Sequence, residues 1–181
     1  MTNSVEIWDV YDKNRVKTGK TRVRGERLAE GEYILIAMVL IFNSRGQMLM
    51  QQRQGHLKWA SGMWTMTVGG AVKAGETSAA AAARELFEEL GIKMCFDMRP
   101  CFSMTNDTAF MDYFLVVADV DIAEIGMPTD EVAAVKWAAK DEMQAMIVAG
   151  ECIPYRAGFL EFCFEMGRKY GLTKWDADNV V

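Results

Sequence analysis

Three glutamates near the middle of the chain, Glu85, Glu88 and Glu89, are spaced so that a helix would place them on one face. Side chains three and four positions apart are neighbours on a helix surface, and like charges there repel each other. A bound dication would reverse that repulsion, and Mg²⁺ and Mn²⁺ favour such oxygen ligands. The spacing therefore indicates a dication site at which water and a phosphate group could be activated.

The residues around these glutamates could supply the rest of such a site. Arg84 lies one turn from Glu88 and can reach back toward Glu76, so we expect it to hold the carboxylates in position. Gly69 and Gly70 permit a close backbone approach, and a carbonyl from this corner could reach the same cation. The alternative interpretation is a solvated helix face that carries ordinary Glu–Arg pairs.

The glutamates need a helix to bring them together, and the sequence predicts one over residues 77–90. This segment is rich in Ala, Glu and Leu, begins with Thr77 and is followed by Gly91. A polar N-cap and a glycine just beyond the last turn are typical of helix ends. Leu86, Leu90 and several alanines occupy a neighbouring arc, so the helix can bury one stripe against a sheet while its carboxylates point into a cleft.

The remaining elements predict an α+β domain in which a mixed sheet lies between helices. Seven strands are expected from alternating or continuous apolar segments, at residues 5–10, 33–42, 47–53, 64–68, 94–102, 110–120 and 132–138. Two further helices are expected at residues 141–149 and 155–170. The polar, Arg-rich stretch from 17 to 32 is predicted to be a linker or a short helix.

Length and composition limit what the chain can be. With 181 residues, 51% of them hydrophobic, we expect a single domain over 1–181, with an N-terminal strand and linker extension at 1–32, a core at 33–150 and a C-terminal helix and tail at 151–181. A net charge of −5 argues against a nucleic-acid partner, because phosphate-backbone binding needs a basic surface. The first residues lack a basic start followed by an apolar run, and no stretch approaches the roughly 18 apolar residues of a membrane span, so we expect a soluble, cytoplasmic protein without a membrane partner.

Cysteine and histidine usage excludes two other kinds of site. The four cysteines show neither CxxC spacing nor the density of a disulfide scaffold, so we expect reduced, mostly buried thiols. His56 is the only histidine, which excludes a His-rich zinc centre. If the chain is an enzyme, carboxylates must do most of the chemistry.

Residues 70–92 as a whole resemble the Nudix box at every position that the box specifies. The match reads Gly70, five residues, Glu76, seven residues, Arg84-Glu85-Leu86, one residue, Glu88-Glu89, one residue, and Gly91-Ile92. The strands predicted around it over residues 33–150 are similar to those of the Nudix superfamily. The resemblance implies the Nudix fold, an α/β/α layered sandwich with a mixed sheet.

The same resemblance implies an activity and assigns roles. The activity is hydrolysis of the pyrophosphate linkage of a small nucleoside diphosphate derivative, with Mg²⁺ or Mn²⁺ as cofactor. Glu85 and Glu89 would be the principal metal ligands, Glu88 a further ligand or the base that positions water, and the Gly69 carbonyl an additional ligand. The residues that would be structural within the box are Gly70, Glu76, Arg84 and Gly91.

Three residues outside the box are further candidates. Nudix proteins often carry another catalytic or metal-binding glutamate on a loop before a later strand, and Glu131 stands at such a place, although an ordinary surface residue is the alternative. Arg53, at the end of a predicted strand, could bind a phosphate with two nitrogens or form a surface ion pair. Trp59 could stack on a nucleobase or pack against apolar neighbours. A homodimer remains open.

Segments outside the box resemble the Nudix branch related to isopentenyl-diphosphate isomerases; they are residues 6–14, 33–52 and 62–64. This resemblance raises isomerase-like activity as an alternative. The catalytic Cys of those isomerases falls on Gly69, and two metal-binding His positions fall on Ala71 and Ile34, so the side chains needed for isomerisation are missing. A non-catalytic nucleotide-binding sensor is the other alternative, although such domains usually lose box carboxylates and none is missing here.

Overall fold

The computed structural model describes residues 5–126 and 129–168. The strands are β1 (Ile7–Tyr11), β2 (Lys17–Val23), β3 (Ile34–Phe42), β4 (Met48–Arg53), β5 (Trp64–Met66), β6 (Val68–Ala71), β7 (Phe102–Thr105), β8 (Ala109–Val117) and β9 (Val132–Ala138). The α-helices are α1 (Ser78–Leu90), α2 (Lys140–Val148) and α3 (Ala157–Arg168). A short 3-10 helix spans Ile122–Glu124.

The chain forms two compact units. The first consists of Met1–Val39, Val68–Glu88 and Ile92–Phe114. The second consists of Leu40–Thr67, Glu89–Gly91 and Leu115–Val181. Helix α1 is continuous, and its last residues, from Glu89 onward, belong to the second unit.

Strand pairing gives one small sheet and one mixed sheet. β1 and β2 form an antiparallel pair, and the other strands form a seven-stranded sheet. In the first unit β6 is antiparallel to the first half of β3, and β7 to β8; in the second, β4 is antiparallel to β5, to β9 and to the end of β3. The N–H of Ile34 donates to the Thr108 carbonyl, and that of Ala118 to the Phe42 carbonyl, so β3 and β8 run parallel. A mixed sheet with three helices confirms the predicted fold class.

Burial explains why most of these elements could be predicted. β3 reads ILIAMVLIF and is buried along almost its whole length, as a central strand covered on both faces must be. The predicted strand at 132–138 and the helices at 77–90 and 141–149 are confirmed, the helices to within one residue at either end. Helix α3 is also confirmed, although residues 169 and 170 of its predicted span lie outside the described residues.

Two predictions are wrong. Residues 17–23 are not a linker or a helix but strand β2; nearly all its side chains are exposed, so it lacks the apolar alternation that marks a half-buried strand. A turn connects β1 to β2, and in it Asp12 Oδ1 accepts hydrogen bonds from the N–H groups of Asn14 and Val16 at 2.9 and 3.0 Å. Residues 94–101 form no strand: β7 starts at Phe102, the Cys101 N–H donates to the Tyr113 carbonyl, and Pro100 just before it has no N–H with which to extend the ladder.

The structure also bears on the expected reduced thiols and on the membrane-spanning segment that the sequence does not predict. Cys152 and Cys163 are buried, and burial raises their pKa values to about 11 and about 12, so both are protonated at neutral pH. Cys95 is exposed. Within the described ranges, no helix has both the length and the apolar character required to cross a membrane.

Candidate metal centre

Helix α1 carries the three candidate carboxylates, and its own sequence fixes where it starts and stops. Thr77 Oγ1 accepts the N–H of Ala80 at 3.2 Å, which caps the first turn, and Gly91 follows the last turn with φ of 70°. The helix buries a stripe of small and branched residues, namely Ala81, Ala82, Leu86 and Leu90. Glu85, Glu88 and Glu89 therefore lie beside this buried stripe on the helix surface.

In the first unit, the carboxylate of Glu85 lies against the backbone of Gly70. A Cβ atom at position 70 would stand only 2.2 Å from Glu85 Cδ and Oε1, so glycine is what makes room for this carboxylate. Gly70 itself is paired with Ala37 of β3. Burial raises the pKa of Glu85, and a hydrogen bond from Arg84 Nη1 at 2.6 Å opposes that rise.

Arg84 connects the box residues of the first unit through five hydrogen bonds. Its Nε and Nη2 donate to the two oxygens of Glu76, both at 2.9 Å, and Nη2 also donates to the Ala71 carbonyl at 3.1 Å. Its Nη1 donates to Glu85 and, at 3.0 Å, to Glu88 Oε2. Burial alone would lower the pKa of Arg84, but the hydrogen bonds and charges of Glu76 and Glu85 raise it. The guanidinium stays charged and links strand β6, the following loop and α1.

Glu76 completes the loop that leads into the helix. Besides the bidentate pair with Arg84, its Oε2 accepts the N–H of Lys73 at 3.0 Å. Burial opposes its ionisation, yet the hydrogen bonds from Arg84 and Lys73 lower its pKa overall. Glu76 therefore holds the loop as an anion and binds Nε and Nη2 of the guanidinium, whereas the helix carboxylates bind Nη1.

In the second unit, Glu89 is buried, with 6% of its surface exposed, and Gln51 of β4 is its partner. Gln51 Nε2 donates to Glu89 Oε2 at 2.6 Å. The amide of Gln51 is also buried, and its carbonyl oxygen, Oε1, has no hydrogen-bond partner. Gln51 is absent from the sequence-based candidates, although a polar residue directly after the apolar run Met48–Met50 was a signal that could have revealed it.

The three candidates outside the box lie around the end of β4, also in the second unit. The guanidinium carbon of Arg53 lies 5.1 Å from the centre of the Trp59 ring, and Arg53 Nε donates to the Trp59 carbonyl at 3.0 Å. Trp59 is 64% exposed, so it is not core material. Glu131 is exposed, and its backbone carbonyl accepts the N–H of Gln54, the residue after Arg53.

Among residues 5–126 and 129–168, no three Asp, Glu, His or Cys side chains form a group ready to hold a metal ion. In the first unit Arg84 engages Glu85 and Glu88, and in the second unit Gln51 engages Glu89. The available donors nevertheless suit a hard dication. In the first unit they are the carboxylate oxygens of Glu85 and Glu88, and in the second unit the carboxyl group of Glu89 and the unpartnered amide carbonyl of Gln51.

Comparison with known proteins settles the family. Residues 32–154 match the family model of the NUDIX domain, which is more than half of the chain. The chain belongs to the Nudix family. This Nudix chain is 39% identical to an uncharacterised Nudix hydrolase of Listeria innocua, over 90% of its own length and 95% of the relative's, which identifies it as a hydrolase of the family.

This Nudix chain is also similar to an isomerase in sequence and to a solved structure in fold. It is 31% identical to an isopentenyl-diphosphate Delta-isomerase of Pectobacterium atrosepticum, over 78% of the chain and 82% of that protein. Its fold is similar to that of a solved Deinococcus radiodurans protein, with a TM-score of 0.73 and 23% identity over 87% of the chain and 99% of that structure. The structural likeness supports the Nudix fold and nothing more specific.

Proposed function

We propose that the chain is a Mg²⁺- or Mn²⁺-dependent pyrophosphohydrolase that cleaves the diphosphate linkage of a small nucleoside diphosphate derivative. The observation that carries this proposal is the arrangement of the complete box: Arg84 ties Glu76, Glu85 and Glu88 together, and Glu85 occupies the space that Gly70 leaves. Such a network orients carboxylates for a cation, whereas a solvated helix face would not need the glycine.

The proposed roles of the chain's own residues follow from their surroundings. Glu85, Glu89 and the Gly69 carbonyl would hold the dication, which when bound supplies charge for the bridged phosphates and lowers the pKa of a coordinated water. Arg84 keeps Glu85 in place by the shortest of its contacts. Glu88, whose side chain is 50% exposed, is the candidate base. It would accept a proton as water attacks phosphorus and the bridging P–O bond breaks toward the leaving phosphate.

Arg53 and Trp59 are the proposed substrate contacts. Arg53 is fixed by the Trp59 carbonyl through Nε, and the two nitrogens at the end of its guanidinium can bind a phosphate. Trp59 presents an exposed ring on which a nucleobase can stack. Glu131, exposed next to β9, is a second candidate for the catalytic base or for a metal ligand.

The test is a hydrolysis screen of nucleoside triphosphates, nucleotide sugars, dinucleotides and prenyl diphosphates with Mg²⁺ or Mn²⁺. We expect turnover of at least one nucleoside diphosphate derivative. The Glu89→Gln variant should lose several orders of magnitude in kcat, whereas the control Glu165→Gln, on the exposed side of α3, should keep it. Absence of turnover over the whole panel, or equal kcat in Glu89→Gln, would contradict the proposal.

Isomerase activity is the second candidate, because an isopentenyl-diphosphate isomerase is among the relatives. The position aligned with the catalytic cysteine of those isomerases is Gly69, which carries no thiol. Conversion of isopentenyl diphosphate is therefore expected to be undetectable in the wild-type chain. Conversion in a nucleotide-free assay with Mg²⁺ or Mn²⁺ would favour the isomerase instead.

A further inference from the structure

We propose that Gln51 is a positioning residue that holds Glu89 for metal binding and whose amide carbonyl accepts a hydrogen bond from the water shell of the bound dication. This inference rests on the proposed function, because it concerns the same site. It adds a residue outside the box, on strand β4, to the residues that prepare a helix carboxylate for the cation.

The contact between Gln51 and Glu89 is short and buried. Gln51 Nε2 donates to Glu89 Oε2 at 2.6 Å, and the two residues are 3% and 6% exposed. A hydrogen bond in a buried, low-dielectric environment is electrostatically stronger than one exposed to water. The amide therefore restricts the rotation of the Glu89 carboxylate and fixes the direction of its oxygens.

The other end of the same amide is unpartnered. Gln51 Oε1 is buried and has no hydrogen-bond partner. In this arrangement the NH₂ group faces the Glu89 carboxyl group and the carbonyl oxygen is the end without a partner. Buried carbonyls without a partner are rare in folded proteins, and where they occur an ion or a water usually satisfies them. A hydrated dication at Glu89 brings the missing donor.

The two neighbouring glutamines of β4, Gln51 and Gln52, have different surroundings. Strand side chains alternate between the two faces of a sheet, so Gln51 shares a face with Leu49. The neighbouring Gln52 points to the opposite face and donates its Nε2 to the Gly62 carbonyl at 2.9 Å. Gln52 is thus a satisfied structural glutamine, and only Gln51 combines a helix carboxylate with an unsatisfied oxygen.

This difference supplies a matched pair of variants for the full-length protein, Gln51→Met and Gln52→Met. Methionine keeps the chain length and volume but removes both polar ends of the amide. The measurement is the dissociation constant for Mn²⁺, from electron paramagnetic resonance of unbound Mn²⁺, together with thermal unfolding in the absence of metal. We expect Gln51→Met to bind Mn²⁺ about 10-fold more weakly than wild type, within the range for residues that orient metal ligands. Gln52→Met should stay within about twofold of wild type.

The kinetic readout separates positioning from a merely structural effect. If Gln51 acts through Glu89, the kcat of Gln51→Met should recover most of its loss at saturating Mn²⁺, whereas a damaged fold would not recover. Should Gln51→Met not yield folded protein, Gln51→Asn withdraws the amide by one methylene and is measured against the same limits.

Two failures can be told apart. If wild type binds Mn²⁺ and hydrolyses a substrate while the Gln51 variant binds Mn²⁺ equally well, the role of Gln51 is refuted and the proposed function stands. If wild type binds Mn²⁺ and Gln51→Met binds it more weakly, but wild type hydrolyses no substrate, the positioning role stands and the proposed function fails. If wild type binds no Mn²⁺, both are refuted.

Discussion

Replacing Gly70 by alanine is the sharpest test of how the box places its carboxylates. The added Cβ would stand 2.2 Å from Glu85 Cδ and Oε1 and 2.6 Å from Oε2. Since non-bonded carbon contacts are close to their optimum only at about 3.5–4 Å, the carboxylate must retreat by roughly 1 Å. Gly70 has no positive φ, so alanine meets no backbone strain there. The substitution therefore acts mainly by moving Glu85.

A shift of this size should affect catalysis far more than folding. Misplacing a catalytic group by about 1 Å can reduce the rate about 100-fold, so we expect kcat of Gly70→Ala to fall by about that factor. The free energy of unfolding should fall by only about 1 kcal/mol, because the group that moves is the end of a flexible side chain. The assays are steady-state hydrolysis of the best substrate from the screen and urea denaturation followed by circular dichroism.

A double-mutant cycle decides whether Glu85 is the cause. If Gly70→Ala works through Glu85, it should have little further effect on kcat in a Glu85→Gln background. Gly158→Ala is the matched control, because a Cβ at that helical glycine meets nothing within 4 Å. Wild-type kcat in Gly70→Ala, or effects on kcat that simply add in the double variant, would refute the argument that the glycine exists to admit this carboxylate.

Three further predictions concern stability and substrate binding. Arg84→Gln should lower the free energy of unfolding by about 2–4 kcal/mol in urea titrations, because it leaves partly buried carboxylates unpaired; a loss below 0.5 kcal/mol, roughly the effect of an ordinary surface change, would contradict this. The pKa of Asp9 lies below its usual 3.8, mainly because the Gly75 N–H donates a hydrogen bond to its carboxylate. Ionised Asp9 therefore stabilises the fold above pH 3.8, and this stabilisation is lost as the pH falls through the folded pKa. The stability deficit of Asp9→Asn should accordingly be constant above about pH 5 and shrink below pH 3.8, and a deficit that grows on acidification would be inconsistent with this sign. Trp59→Ala should raise KM about 10-fold with little change in kcat, as expected for a base-stacking surface next to Arg53, whereas an unchanged KM would remove Trp59 from the binding site.

The elements that the sequence predicts well are those whose burial leaves a periodic trace. Helix α1 could be placed within one residue because a polar cap, an apolar stripe and Gly91 all agree. Strand β2 could not, because its exposed side chains carry no apolar periodicity. Residues 94–101 have strand-like composition, but composition does not show that a backbone lacks a neighbour to pair with.

The site shows the same limit at the level of single side chains. The link of Arg84 to Glu76 and Glu88 could be predicted, since both lie within reach along a helix or its adjoining loop. The link of Gln51 to Glu89 could not, because 38 positions separate the two residues and only the folded chain brings them together. Spacing in sequence reveals partners on one element, whereas partners on different elements depend on the topology.

The acceptors of Arg84 limit how this box could be moved into another protein. They come from three separate stretches of chain: the Ala71 carbonyl at the end of β6, Glu76 in the loop, and the carboxylates of α1. Transplanting the helix alone into a designed scaffold would carry Arg84 and the glutamates without Glu76 and the Ala71 carbonyl, which hold the guanidinium in place. A functional graft would have to move strand, loop and helix as one cassette.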